Sequence, residues 1–364
     1  MNNPLLTENR MKISQIADQD DPTWETLAQP MQALDDKLSN AWSVISHLNG
    51  VMNNDELRKV YKNCLEKLTE YSTEVSQNAA LCNAYKKLAE REDFKNLSEA
   101  QRKSVENTLR DFHLGGVDLP EDKKKQYAEL SRELSELSNK FSDNVLDATQ
   151  HWFKHITDVD ELAGVPETAI ESAKQAARQK ERDGYVITLD FPSFFPVMTY
   201  CDNRDLRREV YEAFVTRASD QGPDAGQWDN TPVMAEILKR RHAQAKLLGF
   251  DNYAERSLAT KMARSSDEVL DFLNQLAAKS KPQAEKEFAE LKAFAKDEYG
   301  AEELQAWDIG YYSEKLRQKR YDISPETLRP WFPVNKVVPG LFRVAEKLFD
   351  VQIEAKPEVE TWHE

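Results

Sequence analysis

Apolar residues recur at helical spacing along almost the whole chain. Between Pro120 and Trp152 the positions Tyr127, Leu130, Leu134, Leu137, Phe141 and Val145 alternate three- and four-residue steps, which draws one stripe along a single long helix. It should begin at Pro120, since proline suits a first helical turn and Glu121 and Asp122 complement the positive end of the helix dipole. Residues 21–50 open on Asp21-Pro22 and predict a helix kinked or split at Pro30, and residues 54–75 and 98–114 predict two more amphipathic helices. Ser265 and Glu268 have the spacing of a capping box, for a helix that bends at Pro282 and closes at Gly300. In "DLRREVYEAFVTRA" Leu206, Val210, Phe214 and Ala218 share a face, with Arg207, Arg208 and Arg217 off it.

One stretch departs from this period. After an Asp183-Gly184 turn signal, the run Tyr185–Leu189 is apolar and β-branched and is then stopped by Pro192 and Pro196, so a short strand or hairpin is predicted near 184–190. The polar, charged segment before it marks a soft boundary near residue 183. That gives an N-terminal helical subdomain over 1–182 and a second helical subdomain over 183–364, with no Gly/Ser linker and no internal repeat between them.

Composition agrees with a mainly α fold: only 11 of 364 residues are glycine, and 40% hydrophobic with 31% charged residues is a globular balance. Forty-nine basic against 64 acidic residues leave a net charge of −15, which disfavours nucleic acid and anionic membrane surfaces as partners. No apolar run reaches signal-peptide or membrane-span length, so a cytoplasmic protein is expected. Cys64, Cys82 and Cys201 are too few and too scattered for a zinc cluster or a disulfide framework and read as reduced thiols.

Motifs for chemistry are scarce. His151 and His155 are four apart, a spacing that could chelate an ion on a helix, but Trp152 follows the first histidine where a general base would be needed, and the helix should end nearby. His47, His113 and His242 stand alone. Asp35-Asp36, Glu302-Glu303 and the Asp18–Asp21 cluster read as solvated helix faces or a helix start. The terminal "VETWHE" contains His363-Glu364, the first two letters of H-E-x-x-H, yet Pro357 and the alternation of Val359, Thr361 and Trp362 do not keep a helical register. No phosphate loop, nucleophile elbow or Cys-His pair is present.

Longer blocks carry a resemblance. "DLRREVYEAFVTRASDQGPDAGQWDN" (205–230), "EILKRRHAQAKLLGFDNYAERSLATKMA" (236–263) and "LQAWDIGYYSEKLRQKRYDISPETLRPWFP" (304–333), with "NPLLT" near the start and "LDFPSFFPVMTYCDN" in the middle, are similar to the helical half of the oligopeptidase A and thimet oligopeptidase family of zinc metallopeptidases. The ordered pair "LLGF-x-NYA" and "WD-x-x-YY-x-E-K" is specific. The resemblance implies an elongated multi-helix array in which the second subdomain forms part of a channel wall that admits short peptides. Trp307, Tyr311 and Tyr312, with Leu304 and Leu316, form an aromatic stretch suited to burial with polar tips reaching partners.

Two departures from the family follow. Its H-E-x-x-H lies beyond the position matching "VETWHE", where His363 aligns instead with a Trp-His pair leading into a strand. The family's zinc ligands and general base therefore have no counterparts here, and no catalytic, cofactor or metal residue is assigned. Between "NPLLTENR" and "DPTWETL" the family also has an extra Phe/Pro-rich segment and a helix that this sequence lacks. The expectation is the N-terminal part of a zinc endopeptidase, inactive alone, whose partners are short peptides and a separately encoded catalytic half. The competing reading is a non-catalytic helical protein that binds peptides or a partner.

Overall fold

The computed structural model describes residues 4–322 and 328–359, and the fold is mainly α. The chain divides into two compact units, both discontinuous: Met1–Asp143 with Thr231–Asp271, and Asn144–Asn230 with Phe272–Glu364.

The first unit is built on α1 (Pro4–Ala17), α2 (Gln29–Val51), α3 (Asp55–Ser76), α4 (Ala79–Glu90) and α5 (Glu99–Leu114). Side chains write the helix starts: Asn54 accepts from the Leu57 amide, Asn78 from Leu81, and Ser98 with Gln101 forms a reciprocal capping box. Over 24–28 the chain makes one wide π turn, capped by Thr23, and Pro30 then falls in the first turn of α2, where its missing N–H costs no hydrogen bond. Leu6, Leu27, Leu81 and Val105 meet in a core with under 3% of each side chain exposed. The first part of α6 (Glu121–His151) is tied to α10 (Thr231–Leu247) by Arg240 on Glu133 and Gln244 on Ser131, at 2.7 and 2.9 Å. Arg256, on α11 (Tyr253–Leu258), reaches the Tyr127 hydroxyl.

The second unit holds β1 (Phe153–Ile156) and β2 (Tyr185–Thr188), paired antiparallel with Phe153 opposite Thr188 and Ile156 opposite Tyr185. Between them in sequence lies α7 (Glu167–Gln179), which packs on β2. The predicted strand exists, but its partner lies some thirty residues earlier, in a segment that reads by sequence as the end of the long helix, so the pair is not a hairpin. Gly184 makes the entry to β2: its φ is +80°, and a Cβ there would stand 2.3 Å from the Ile156 carbonyl oxygen. Ile156, Leu162, Ala173, Ile187 and Val197 share one core, so the boundary read near residue 183 falls inside this unit.

The remaining helices are α8 (Phe191–Tyr200), α9 (Arg204–Val215), α12 (Ser266–Tyr299), α13 (Ala306–Tyr321) and α14 (Val334–Phe349). Helix α12 starts as predicted, with Ser265 Oγ accepting from the Glu268 amide, but the Glu268 carboxylate accepts from the Arg264 amide instead of Ser265. It also runs unbroken through Pro282. Helix α9 stops at Val215, and Ala218 sits beyond it at a φ of +51°, outside the stripe that its sequence spacing suggested.

Candidate functional site

The residues that make the sequence distinctive, "TYCDN", "DLRR" and "WD-x-x-YY-x-E-K", come together in the second unit, where α13 packs on α8 and α9. At the centre is Asp308, wholly buried. Its carboxylate accepts from Arg207 Nη2 at 2.9 Å, from Arg204 Nη2 at 2.6 Å and from the Gln305 amide at 3.0 Å. Burial would raise the Asp308 carboxyl, but the hydrogen bonds from Arg204, Gln305 and Arg207 outweigh it and hold the group below the ordinary carboxylate value.

Arg207 is 1% exposed, although the stripe of α9 predicts it off the core face. Its donors are consumed by Asp308, the Cys201 carbonyl at 2.7 Å and the Trp307 carbonyl at 3.3 Å, and its guanidinium lies 4.1 Å from the centre of the Tyr311 ring. The Tyr311 hydroxyl donates to Asp202 at 2.7 Å, and Lys315 adds an ion pair to the same carboxylate at 3.3 Å. The predicted aromatic cluster is present: Tyr311 and Tyr312 are buried against Leu291 and Ala295, and Trp307 packs against Tyr211. Every ionised group in this network is answered by another, so it fastens α13 in place and leaves no group free for proton transfer.

The exposed side of this unit is different in kind. Helix α14 carries Val337, Leu341, Val344 and Leu348 at three- and four-residue steps, flanked by Val338 and Phe342, yet buries none of its side chains; Leu341 is 63% exposed and Leu348 71%. On α12, Phe272, Leu273 and Leu276 are likewise exposed. Apolar stripes of this kind mark contact surfaces.

The histidines do not converge. Helix α6 ends at His151 and the chain turns into β1, so His151 and His155 are not one helical turn apart; His151 packs on Trp228 and faces Asp224, whereas His155 bonds the Asp183 carbonyl at 2.6 Å. His113 pairs with Asp118. Cys82 and Cys201 are buried and Cys64 half-buried, all three as free thiols, and burial pushes the Cys82 and Cys201 thiols up. His363 and Glu364 lie outside the described residues. Among the described residues no three His, Cys, Asp or Glu side chains are grouped to hold a metal ion, so the donor set does not fit a zinc centre. Among them too, no helix is long and apolar enough to cross a membrane.

Sequence reasoning missed the buried state of Arg207 and its pairing with Asp308. The signal was present but lay about a hundred residues apart, as an arginine beside an apolar stripe and an aspartate inside an aromatic block.

Comparison with known proteins matches residues 197–364 to Peptidase family M3 and residues 2–124 to the Neurolysin/Thimet oligopeptidase N-terminal domain. Oligopeptidase A of Salmonella typhimurium is 55% identical over 94% of this chain and 50% of its own length. Oligopeptidase A of Escherichia coli is 52% identical over 98% of this chain and 53% of its own. The probable cytosolic oligopeptidase A of Arabidopsis thaliana is 39% identical over 96% and 50%. The chain thus spans about half the length of the curated relatives it matches.

Proposed function

Because the chain belongs to the oligopeptidase A and thimet oligopeptidase family of M3 peptidases, we propose that it is the helical, N-terminal part of a cytoplasmic metallo-oligopeptidase, that it helps admit short peptides, and that alone it hydrolyses none. The observation that carries this reading is α14, whose apolar stripe has nothing laid over it among the described residues. A helix patterned for burial calls for a covering polypeptide, and the relatives possess about as much chain again as the part matched here. That remainder, supplied in the same or a separate polypeptide, is the partner proposed. It would also bring the zinc ligands and the general base, for which the described residues offer no grouping.

The test is complementation. The purified chain is assayed with a quenched fluorescent peptide alone, and then with a separately produced C-terminal half of the Salmonella typhimurium relative. The expected result is no turnover by the chain alone and chelator-sensitive turnover by the mixture, above that of the added half. Chelator-sensitive cleavage by the chain alone, or one tightly held zinc per molecule, overturns the proposal.

A further inference from the structure

In the first unit, α2, α3, α4 and α5 leave a cleft of about 620 Å³, within the ~300–1,000 Å³ typical of small-ligand sites. Its walls are apolar and aromatic, with Trp42, Leu65, Leu68, Tyr71, Tyr85 and Phe112 among them. Among the described residues no lysine, arginine or histidine lines it. Two carboxylates do. Asp111 is already answered by Arg110 at 2.8 Å, whereas Asp35, an exposed residue, has no side-chain hydrogen bond or ion pair among the described residues.

The lining adds a second unanswered group. Tyr85 is only 5% exposed, but its hydroxyl is not sealed from solvent and has no hydrogen-bond partner among the described residues. The Tyr71 hydroxyl is met by Asn9 Nδ2 at 3.3 Å, so one lone pair is used there. Burial raises both phenols, the Asp35 charge adds to the rise in each, and loss of hydration raises Asp35 itself. All three groups thus border one cleft, with Asp35 exposed at its edge, that among the described residues holds negative charge and acceptor oxygens but no cation.

We propose that this cleft binds an organic ammonium carried on an aryl body, with the ring among the apolar walls and the ammonium between Asp35 and the Tyr85 hydroxyl. The chemistry selects this class. An ammonium offers three donors and no acceptor, matching a carboxylate and a phenol oxygen; a carboxylate ligand would meet Asp35 as a like charge, and a neutral ligand would gain no charge-assisted contact from it. The inference lies outside the peptidase reading and does not depend on it. The ammonium can belong to a free amine or to the N-terminus of a peptide.

The full chain is titrated calorimetrically with phenethylammonium, 2-phenylethanol and 3-phenylpropionate. The amine is expected to bind about tenfold more tightly than the alcohol, the difference made by one charge-assisted contact, and the acid more weakly than either. Asp35→Asn should bring the amine to the level of the alcohol while leaving the alcohol unchanged, and Ser72→Trp, which puts an indole into the cleft, should remove binding of all three. A peptide with a free N-terminal phenylalanine, set against its N-acetyl form, assigns the peptide source if only the free form binds; binding of the small amine with neither peptide form assigns a free amine. Equal affinity for the three probes, an unchanged preference in Asp35→Asn, or no heat with any probe overturns the proposal.

Discussion

Helices α13 and α14 belong to the same unit and have opposite relations between sequence and burial. Helix α13 has a weak apolar stripe, is rich in charge, and is fixed at its centre: Asp308, Tyr311, Tyr312 and Glu314 are all buried. Helix α14 has a strong apolar stripe and buries nothing. The difference teaches that patterning states which face a helix can hide, whereas burial requires a partner whose groups answer it. For α13 those partners are Arg204, Arg207 and Asp202, on or beside α9 and within this chain. For α14 the proposed partner is the further polypeptide that its relatives possess.

Arg207→Ala is the most forceful way to break that contrast. It should cost about 3–5 kcal/mol, because it leaves the Asp308 carboxylate deep in the unit with one of its partners gone. A urea midpoint close to that of the parent would mean that the network is ornamental and that α13 is held by its aromatic residues alone. Next is Tyr311→Phe, which removes the hydrogen bond to Asp202 but keeps the ring under Arg207, for an expected loss of about 1 kcal/mol. The same unfolding curves check it.

The pH dependence follows from the same residues. Asp308 titrates lower in the folded state than its ordinary 3.8, so its contribution is fully present above that value and is lost as pH falls through the lower folded value. Burial, with help from Asp202, raises Tyr311 above its ordinary 10.0, so its contribution is present below that value and is lost as pH rises beyond it. Asp308→Asn should therefore flatten the acid limb of the stability profile and leave the alkaline limb alone; an unchanged acid limb would assign acid unfolding to other carboxylates.

The smallest effect on stability is expected from α14. Leu341→Asp with Phe342→Asp should change unfolding free energy by less than about 0.5 kcal/mol per site, since neither side chain is buried. The pair should at the same time lower dye binding and self-association of the chain and abolish complementation by the C-terminal half of a relative. A large loss of stability would show that the stripe is covered from within.

Much of the helical framework was legible, because a sustained 3.6-residue period and a cap such as Ser265 are local signals. The long helix over 121–151 and the helices near 54–75 and 98–114 fall where the period put them. Strand β1 was not legible, since its four residues follow directly on the predicted end of the long helix and become a strand only by pairing with β2. Arg207 was misread for the same reason: an arginine is sorted to solvent unless its distant counter-charge is known. The residues of the α9–α13 network stand in the blocks that carry the family resemblance, but their pairing was not legible and required the fold. Asp35 and Asp36 are exposed, as a solvated helix face should be, and the cleft beside Asp35 was hidden because its walls come from four helices.

The two units are interleaved along the chain, and this sets an order on biosynthesis. The first unit needs Thr231–Asp271 in addition to Met1–Asp143, so it cannot finish assembling on the ribosome until all of Asn144–Asn230 has emerged. A nascent chain must meanwhile leave uncovered the face of α6 that Arg240 and Gln244 later meet.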